Sequence, residues 1–372
     1  MDASAETPID GEAIRIDAAW GAKLQAAVCE RCDWAFLAPT ESLPQLCPHC
    51  FQAQLTRMAE GVEQLPYIHP PELLLPFTLP AERLGQAVQA FAQGIPYAPP
   101  DLAPKDLQGR LRRIYLPMWL VDAQVKAIWQ AEAGFDYEVV SHQDHFDDHR
   151  GGWSSNEVKE GRVRWEPRLG RLSRSYTNIS APALDEHASL RRAVGDFEAA
   201  SAQPFQAEAL SAAFVRLPNR PPKDAWSDAT LAFQAAAAEE CRQAASADHM
   251  RQFSWQPDYQ NPNWTLQLLP LYATYYKDDE GKPQPVLVHG QSGRINGVRR
   301  ASMARGRQAA LMLLGVAVVI FLISLVVSLV SIALPPLLVL GVIGMVAALL
   351  VGLGAIYPVS AAWWFNRQQE NQ

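Results

Sequence analysis

From Ala309 to Ala362 the chain carries no charged residue. No other feature constrains the fold as strongly, because a run this apolar has to leave water. Two stretches are separable within it: Leu311 to Ile332, then Leu337 to Trp364, with Pro335 and Pro336 between them. At 1.5 Å per helical residue each stretch can cross a hydrocarbon core of ~30 Å. The paired prolines break the helix and leave no space for a loop domain, so the sequence predicts a two-helix transmembrane hairpin over residues 309–365. Arg299, Arg300, Arg305 and Arg307 precede the first stretch and Arg367 follows the second. By the positive-inside rule both termini and the main domain are then cytoplasmic, in a multi-pass protein. The basic juxtamembrane segment, residues 298–308, is placed to meet anionic headgroups, and Trp363 and Trp364 fall where an aromatic belt lies. Gly341-x-x-Gly344 and Gly352-x-Gly354 would permit close helix contact, including contact between copies.

The arginines also matter for charge. With −7 on the whole chain and +4 from Val298 onward, the body carries −11. An acidic body is a poor partner for a phosphate backbone, whose binding rests on counterion release by Lys and Arg.

Near the other end, CERCDWAFLAPTESLPQLCPHC holds four of the five cysteines, Cys29, Cys32, Cys47 and Cys50, in two C-x-x-C pairs. Two such pairs joined by a span able to form a hairpin bring four thiolates to one point, a set that suits tetrahedral Zn²⁺. Four cysteines fill every position, so the metal is expected to be structural and its binding energy to be folding energy for a small lobe. This zinc ribbon is predicted over residues 23–56, with Trp34, Phe36 and Leu43 packed against the knuckles and His49 exposed on one of them. Metal spacing and a lone Cys241 fit a reducing compartment. The preceding residues, 1–22, read as an acidic flexible lead-in without a cleavable signal peptide.

Residues 67–297 read as a mixed α+β domain. TLPAERLGQAVQAFAQG predicts a helix with Leu84, Ala87, Val88 and Phe91 as its stripe and Gly94 at its end. One or two strands broken at Pro117 are expected in LRRIYLPMWLVDAQVKAIWQAEAGFDYEVV, a polar loop in SHQDHFDDHRGG, and separate strands in RVRWEP and RLSRSYTNISA. The helix that begins at PKDAWSDA is read as far as ADHMRQF, with Cys241 buried and inert within it. WTLQLLPLYATYY and QPVLVHGQSGRING are further strands. Tyr115–Leu120 and Leu268–Ala273 look alike and suggest an internal duplication. His142, His145 and His149, with Asp144, Asp147 and Asp148, are a candidate second metal site, with a solvated loop as the plainer reading. There is no phosphate-binding loop, nucleophile elbow, H-E-x-x-H or dinucleotide fingerprint, so no enzyme is expected.

The order of zinc ribbon, LPF with its helix, IYLPMWLVDAQV, PKDAWSDA, ADHMR, LLPLYATYY, VLVHGQSGRINGVRRASM and terminal hairpin resembles the bacterial membrane-anchored zinc-ribbon proteins. Those are often labelled primosomal replication-factor-Y-like helicase or TFIIB-type zinc-ribbon proteins. LPMWL and HGQSG-x-x-x-G carry most of the likeness; the family usually has Asn and Thr where this chain has His289 and Ser292. The resemblance implies a scaffold or adaptor at the bacterial inner membrane, serving flotillin-like SPFH or phage-shock-type membrane-stress proteins. A helicase needs a nucleotide-binding motor, which the chain lacks; a membrane-tethered nucleic-acid-associated protein is the alternative.

Overall fold

The computed structural model describes residues 16–43, 45–58, 69–147, 152–330 and 337–370. Residues 1–15 of the expected lead-in and the Pro335–Pro336 break lie outside the described residues. In chain order the elements are α1 (Ile16–Trp20), β1 (Leu24–Cys29), β2 (Ala35–Pro39), β3 (Leu55–Arg57), β4 (Leu73–Leu74), α2 (Ala81–Ala92), α3 (Pro104–Gly109), β5 (Arg112–Asp147) and β6 (Gly152–Pro182). Then come α4 (His187–Val194), β7 (Gln203–Pro204), β8 (Ala213–Arg216), α5 (Pro222–Ala244), β9 (His249–Lys277), β10 (Pro283–His289), β11 (Ile295–Gly297), α6 (Met303–Val330), α7 (Leu337–Gly354) and α8 (Ile356–Glu370). The fold is mixed α+β, with one large sheet and a C-terminal pair of apolar helices.

Two compact units divide the chain. The first holds residues 1–116, 186–217 and 268–372; the second holds 117–185 and 218–267. Strand order is β11-β10-β9-β5-β8-β2-β1-β3. In the first unit β2 lies antiparallel to β8 (Phe36 opposite Arg216, Leu37 opposite Val215), so the cysteine-bearing strands continue the sheet of the body. Every residue of β8 is buried. Ile16 and Trp20, which the sequence put in the lead-in, form α1 and pack into a core with Leu24, Leu37, Leu210 and Val215.

In the second unit β5 and β6 stay antiparallel from Met118 opposite Pro182 to Asp147 opposite Gly152. Several sequence readings need correction here. Pro117 does not interrupt β5: Tyr115 is the last residue paired with β8 and Met118 the first paired with β6, so the proline sits where the strand changes partners. SHQDHFD is strand, since its backbone is paired across to β6. RVRWEP and RLSRSYTNISA are one strand. The shift between Val121 and Ala123 is a bulge, where Asn178, at φ 58°, donates its N–H to Asp122 Oδ1 at 2.7 Å. The α5 helix ends earlier than read. Its stripe of Ala225, Ala229, Phe233, Ala237 and Cys241, four residues apart, is buried, with Phe233 edge-on to Tyr176 at 5.8 Å. Ser246 then takes φ 51°, the Ala245 N–H returns to Cys241 O, and His249 begins β9. Burial pushes the Cys241 thiol up to about 11, as an inert interior thiol requires. Tyr115–Leu120 and Leu268–Ala273 fall on neighbouring strands, β5 and β9. Among the described residues two repeated halves are not shown.

The HGQSG segment is a turn built for packing. Its Gly290 N–H bonds Pro270 O, and a Cβ there would stand 2.6 Å from that oxygen. Gly293 has φ 76° and presses on Leu79. His289 is buried: its Nδ1 accepts the N–H groups of Gln291 and Ser292, its Nε2–H donates to Asp196 O, and Phe197 stacks on the ring at 4.0 Å. Only the neutral imidazole can do all of this, and burial holds its pKa below the usual histidine value.

At the C-terminus α6 and α7 pair through small residues. A Cβ on Gly341 would lie 3.1 Å from Ser328 Cβ, and one on Gly344 2.9 Å from Ser324 Cβ. The glycine pattern is therefore used within the chain. The second apolar run is two helices, broken at Ala355, where Pro358 lacks the N–H to bond Gly354 O. Its last part is clasped to the body. Asn366 Oδ1 accepts the Ala301 N–H at 2.7 Å and its Nδ2 donates to Ala301 O at 3.1 Å. Ala362 is buried among Val88, Phe91, Tyr276 and Val286.

Two outcomes check this packing. Gly290→Ala should cost about 1–3 kcal/mol in denaturant unfolding, because the Pro270 carbonyl has nowhere to move. For His289 the unfolded chain binds a proton that the folded one refuses, so stability is full above the ordinary histidine pKa and falls as pH drops through it. Unfolding midpoints at pH 7.5 and 5.5 should show this loss. His289→Asn, whose Oδ1 can still accept the two turn amides, should flatten the slope.

Candidate metal centre

Both C-x-x-C pairs fold into the same turn. After Cys29 the chain reverses so that the Asp33 N–H bonds Cys29 O at 2.8 Å, with Asp33 at φ 58°. After Cys47 the Phe51 N–H bonds Cys47 O at 3.0 Å, with Phe51 at φ 53°. Each turn ends in a left-handed residue, which points the two sulfurs of its pair to the same side. The turns are held in register by β1, which pairs with β2 and β3, and by the Leu46–Gln54 bridge.

The four Sγ atoms converge within 4.8 Å of one another. Cys29 and Cys50 Sγ are 3.6 Å apart, and Cys32 and Cys47 Sγ 3.7 Å apart. These gaps are too long for a disulfide at ~2.05 Å. They match the ~3.8 Å between sulfurs around a tetrahedral ion with metal–sulfur bonds of ~2.3 Å. The donor set fits a metal ion. Electrostatics point the same way. Burial pushes the Cys32 thiol up to about 12 and raises Cys47 further. At Cys29 burial also raises the pKa, but the amides of Arg31 and Cys32 and the neighbouring thiols outweigh it, and the net shift is downward. The Cys29 thiolate forms readily, whereas Cys32 and Cys47 need a cation beside them.

Around the sulfurs Trp34, Phe36 and Leu43 are buried, as the sequence suggested. His49 is not the exposed knuckle residue expected: its ring lies flat on Trp34 at 3.5 Å, its Nδ1 is buried, and burial lowers its pKa to about 4. A neutral ring with only 7° between its plane and the indole is a packing element and no ligand. Arg216 from β8 stands over Trp34 at 4.7 Å and donates to Ala35 O at 3.0 Å. Phe51 stacks on Tyr275 at 4.6 Å. The lobe is thus fastened to the body by a strand pairing, an arginine and the Phe51–Tyr275 stack, links that no C-x-x-C spacing reveals.

The other candidates fare differently. Side chains of His145 and His149, and of Asp144, Asp147 and Asp148, lie outside the described residues. Among the described residues no second metal-ligating group converges. Of the residues expected at a membrane surface, Arg299 donates to Gln93 O and Arg305 to Ala98 O at 2.8 Å, so these two tie the hairpin to the body. Arg300 and Arg307 are exposed. Trp363 and Trp364 are half exposed on α8, with Arg367 over the Trp363 ring at 5.1 Å.

Comparison with family models, with curated proteins and with solved structures finds no match to this chain. Its class rests on what the residues define: a four-cysteine cluster close enough to hold a metal ion, in an α+β fold with one large sheet and two helices long and apolar enough to cross a membrane.

Metal analysis of the purified chain should find about one ion per chain, the ratio four thiolates dictate. Cys47→Ser should take that toward zero. It should also raise amide hydrogen exchange first in β1 and β3, the strands nearest the sulfurs.

Proposed function

We propose that this chain is a non-enzymatic, membrane-anchored adaptor. It holds a zinc-stabilised β lobe at the cytoplasmic face of a bacterial inner membrane and recruits a protein partner there. The observation that carries the reading is the union of lobe and hairpin in one compact unit. Lobe strands continue the body sheet through β2 and β8, and the helices are clasped to that body at Ala301–Asn366. Rigid connection is what an adaptor needs, because it fixes how a docking surface is presented to the bilayer. The all-thiolate set supports a structural metal, since no position remains for water or substrate. Zinc is preferred because it takes four sulfurs in a tetrahedron without geometric cost. Arginines on the outer flanks of both helices support the cytoplasmic orientation. A membrane-stress or SPFH-linked partner is what the family resemblance favours, and the −11 body disfavours nucleic acid.

Leu46 is an apolar lobe residue left 42% exposed, so a photocrosslinking amino acid there samples whatever docks beside the metal. In intact membranes it should yield one discrete protein adduct, which Cys47→Ser abolishes while the chain stays in the membrane fraction. Adducts to nucleic acid would instead support the tethered nucleic-acid alternative. No adduct, or one indifferent to the cysteine change, removes the adaptor reading.

A further inference from the structure

We infer that the junction between α8 and the body is a binding groove for an anionic phospholipid, a site that rests on the membrane reading and makes it specific. The groove measures about 550 Å³ and has Pro96 of the body on one wall and α8 on the other, with Tyr357, Trp364 and Phe365 supplying apolar lining. Ser360 and Gln368 add polar groups to the same wall.

Its position identifies the occupant. The helix α7, with 18 residues, measures about 27 Å at 1.5 Å per residue, close to a ~30 Å hydrocarbon core. The break at Ala355 then brings α8 in at headgroup depth, where aromatic rings concentrate. Two facts agree with that depth. Pro358 and Ala362, on one side of α8, are buried, and a Cβ on Gly306 at the start of α6 would meet them at 3.1 and 3.5 Å. Tyr357, Trp363 and Trp364 remain 70%, 48% and 59% exposed. A groove left open at this level, beside two apolar helices, is filled by lipid.

Charge selects the lipid. Arg367 stands over Trp363 at 5.1 Å, and Arg299, whose donor goes to Gln93 O, adds its charge over Phe365 at 5.9 Å; both rings line the groove. An apolar slot with guanidinium groups on its lining rings complements an acyl chain joined to a phosphate. A phosphatidylcholine headgroup would bring a trimethylammonium up against the same cations.

The test uses the full chain, stripped of lipid by detergent exchange and offered phosphatidylglycerol or phosphatidylcholine, with native mass spectrometry as the readout. A single phosphatidylglycerol should stay on each chain under activation that removes phosphatidylcholine. Arg367→Gln, an exposed change, should lower that retention about fivefold, the factor that ~1 kcal/mol for one surface arginine corresponds to. Ala361→Trp, which puts an indole into the slot, should abolish it. Equal retention of both lipids overturns the inference, as does retention unchanged in Arg367→Gln, which decides alone if Ala361→Trp does not fold. A chain recovered in the soluble fraction of cells would sink the membrane reading itself. A membrane-resident chain that keeps no lipid would sink only the groove.

Discussion

The pairing of β2 with β8 is the seam on which the rest depends. β8 is four residues long and wholly buried, with β5 on one side and β2 on the other. Through it the thiolate lobe becomes the end of a sheet. Without such a seam, four cysteines would hold only a short hairpin, which is marginal in water. With it, an ion held by the four cysteines would stabilise β1, β2 and β3 as a margin for the body, and the body supplies the large apolar surface that the lobe lacks. Arg216 shows how closely the two are joined. One guanidinium bonds the Ala35 carbonyl and covers Trp34, whose ring in turn carries His49 from the second cysteine turn.

What could be read from the sequence was whatever local spacing encodes. The C-x-x-C pairs, the uncharged run from Ala309 and the α2 stripe are all patterns within a few turns of chain, and the structure agrees with them. Partnership across the chain was illegible. SHQDHFD has loop composition, yet it is strand because β6 runs alongside to satisfy its backbone. ADHMR follows an alanine-rich helix without a proline or glycine to stop it. The stop is made by Ser246 in a left-handed conformation, a state serine adopts only where the surroundings demand it. His49 looked like a solvent-facing residue between two cysteines because nothing local announces the indole beneath it. The glycines at 341 and 344 carried two meanings, contact within a chain or between chains. Only the serines of α6 decide for the first.

Charge is arranged by a related division of labour. The acidic excess lies in the body, and the net positive segment lies where the chain meets the apolar helices. Within that group, Arg299 and Arg305 spend their donors on the carbonyls of Gln93 and Ala98, while Arg300, Arg307 and Arg367 keep theirs toward solvent or ring faces. A cluster that reads as a uniform collar in sequence therefore contains both fasteners and contact groups.

The clasp between Ala301 and Asn366 has a consequence for how the molecule is made. Ala362 fills a core that also contains Val88 and Tyr276, residues synthesised far earlier. That core stays incomplete until Ala362 has been made and both apolar helices have reached their final places. On the membrane reading, insertion of the two helices and completion of this core would be coupled. A copy whose last helix failed to dock would be left with an open, apolar gap beside Val88 and Tyr276, a defect of the kind that proteolytic quality control recognises.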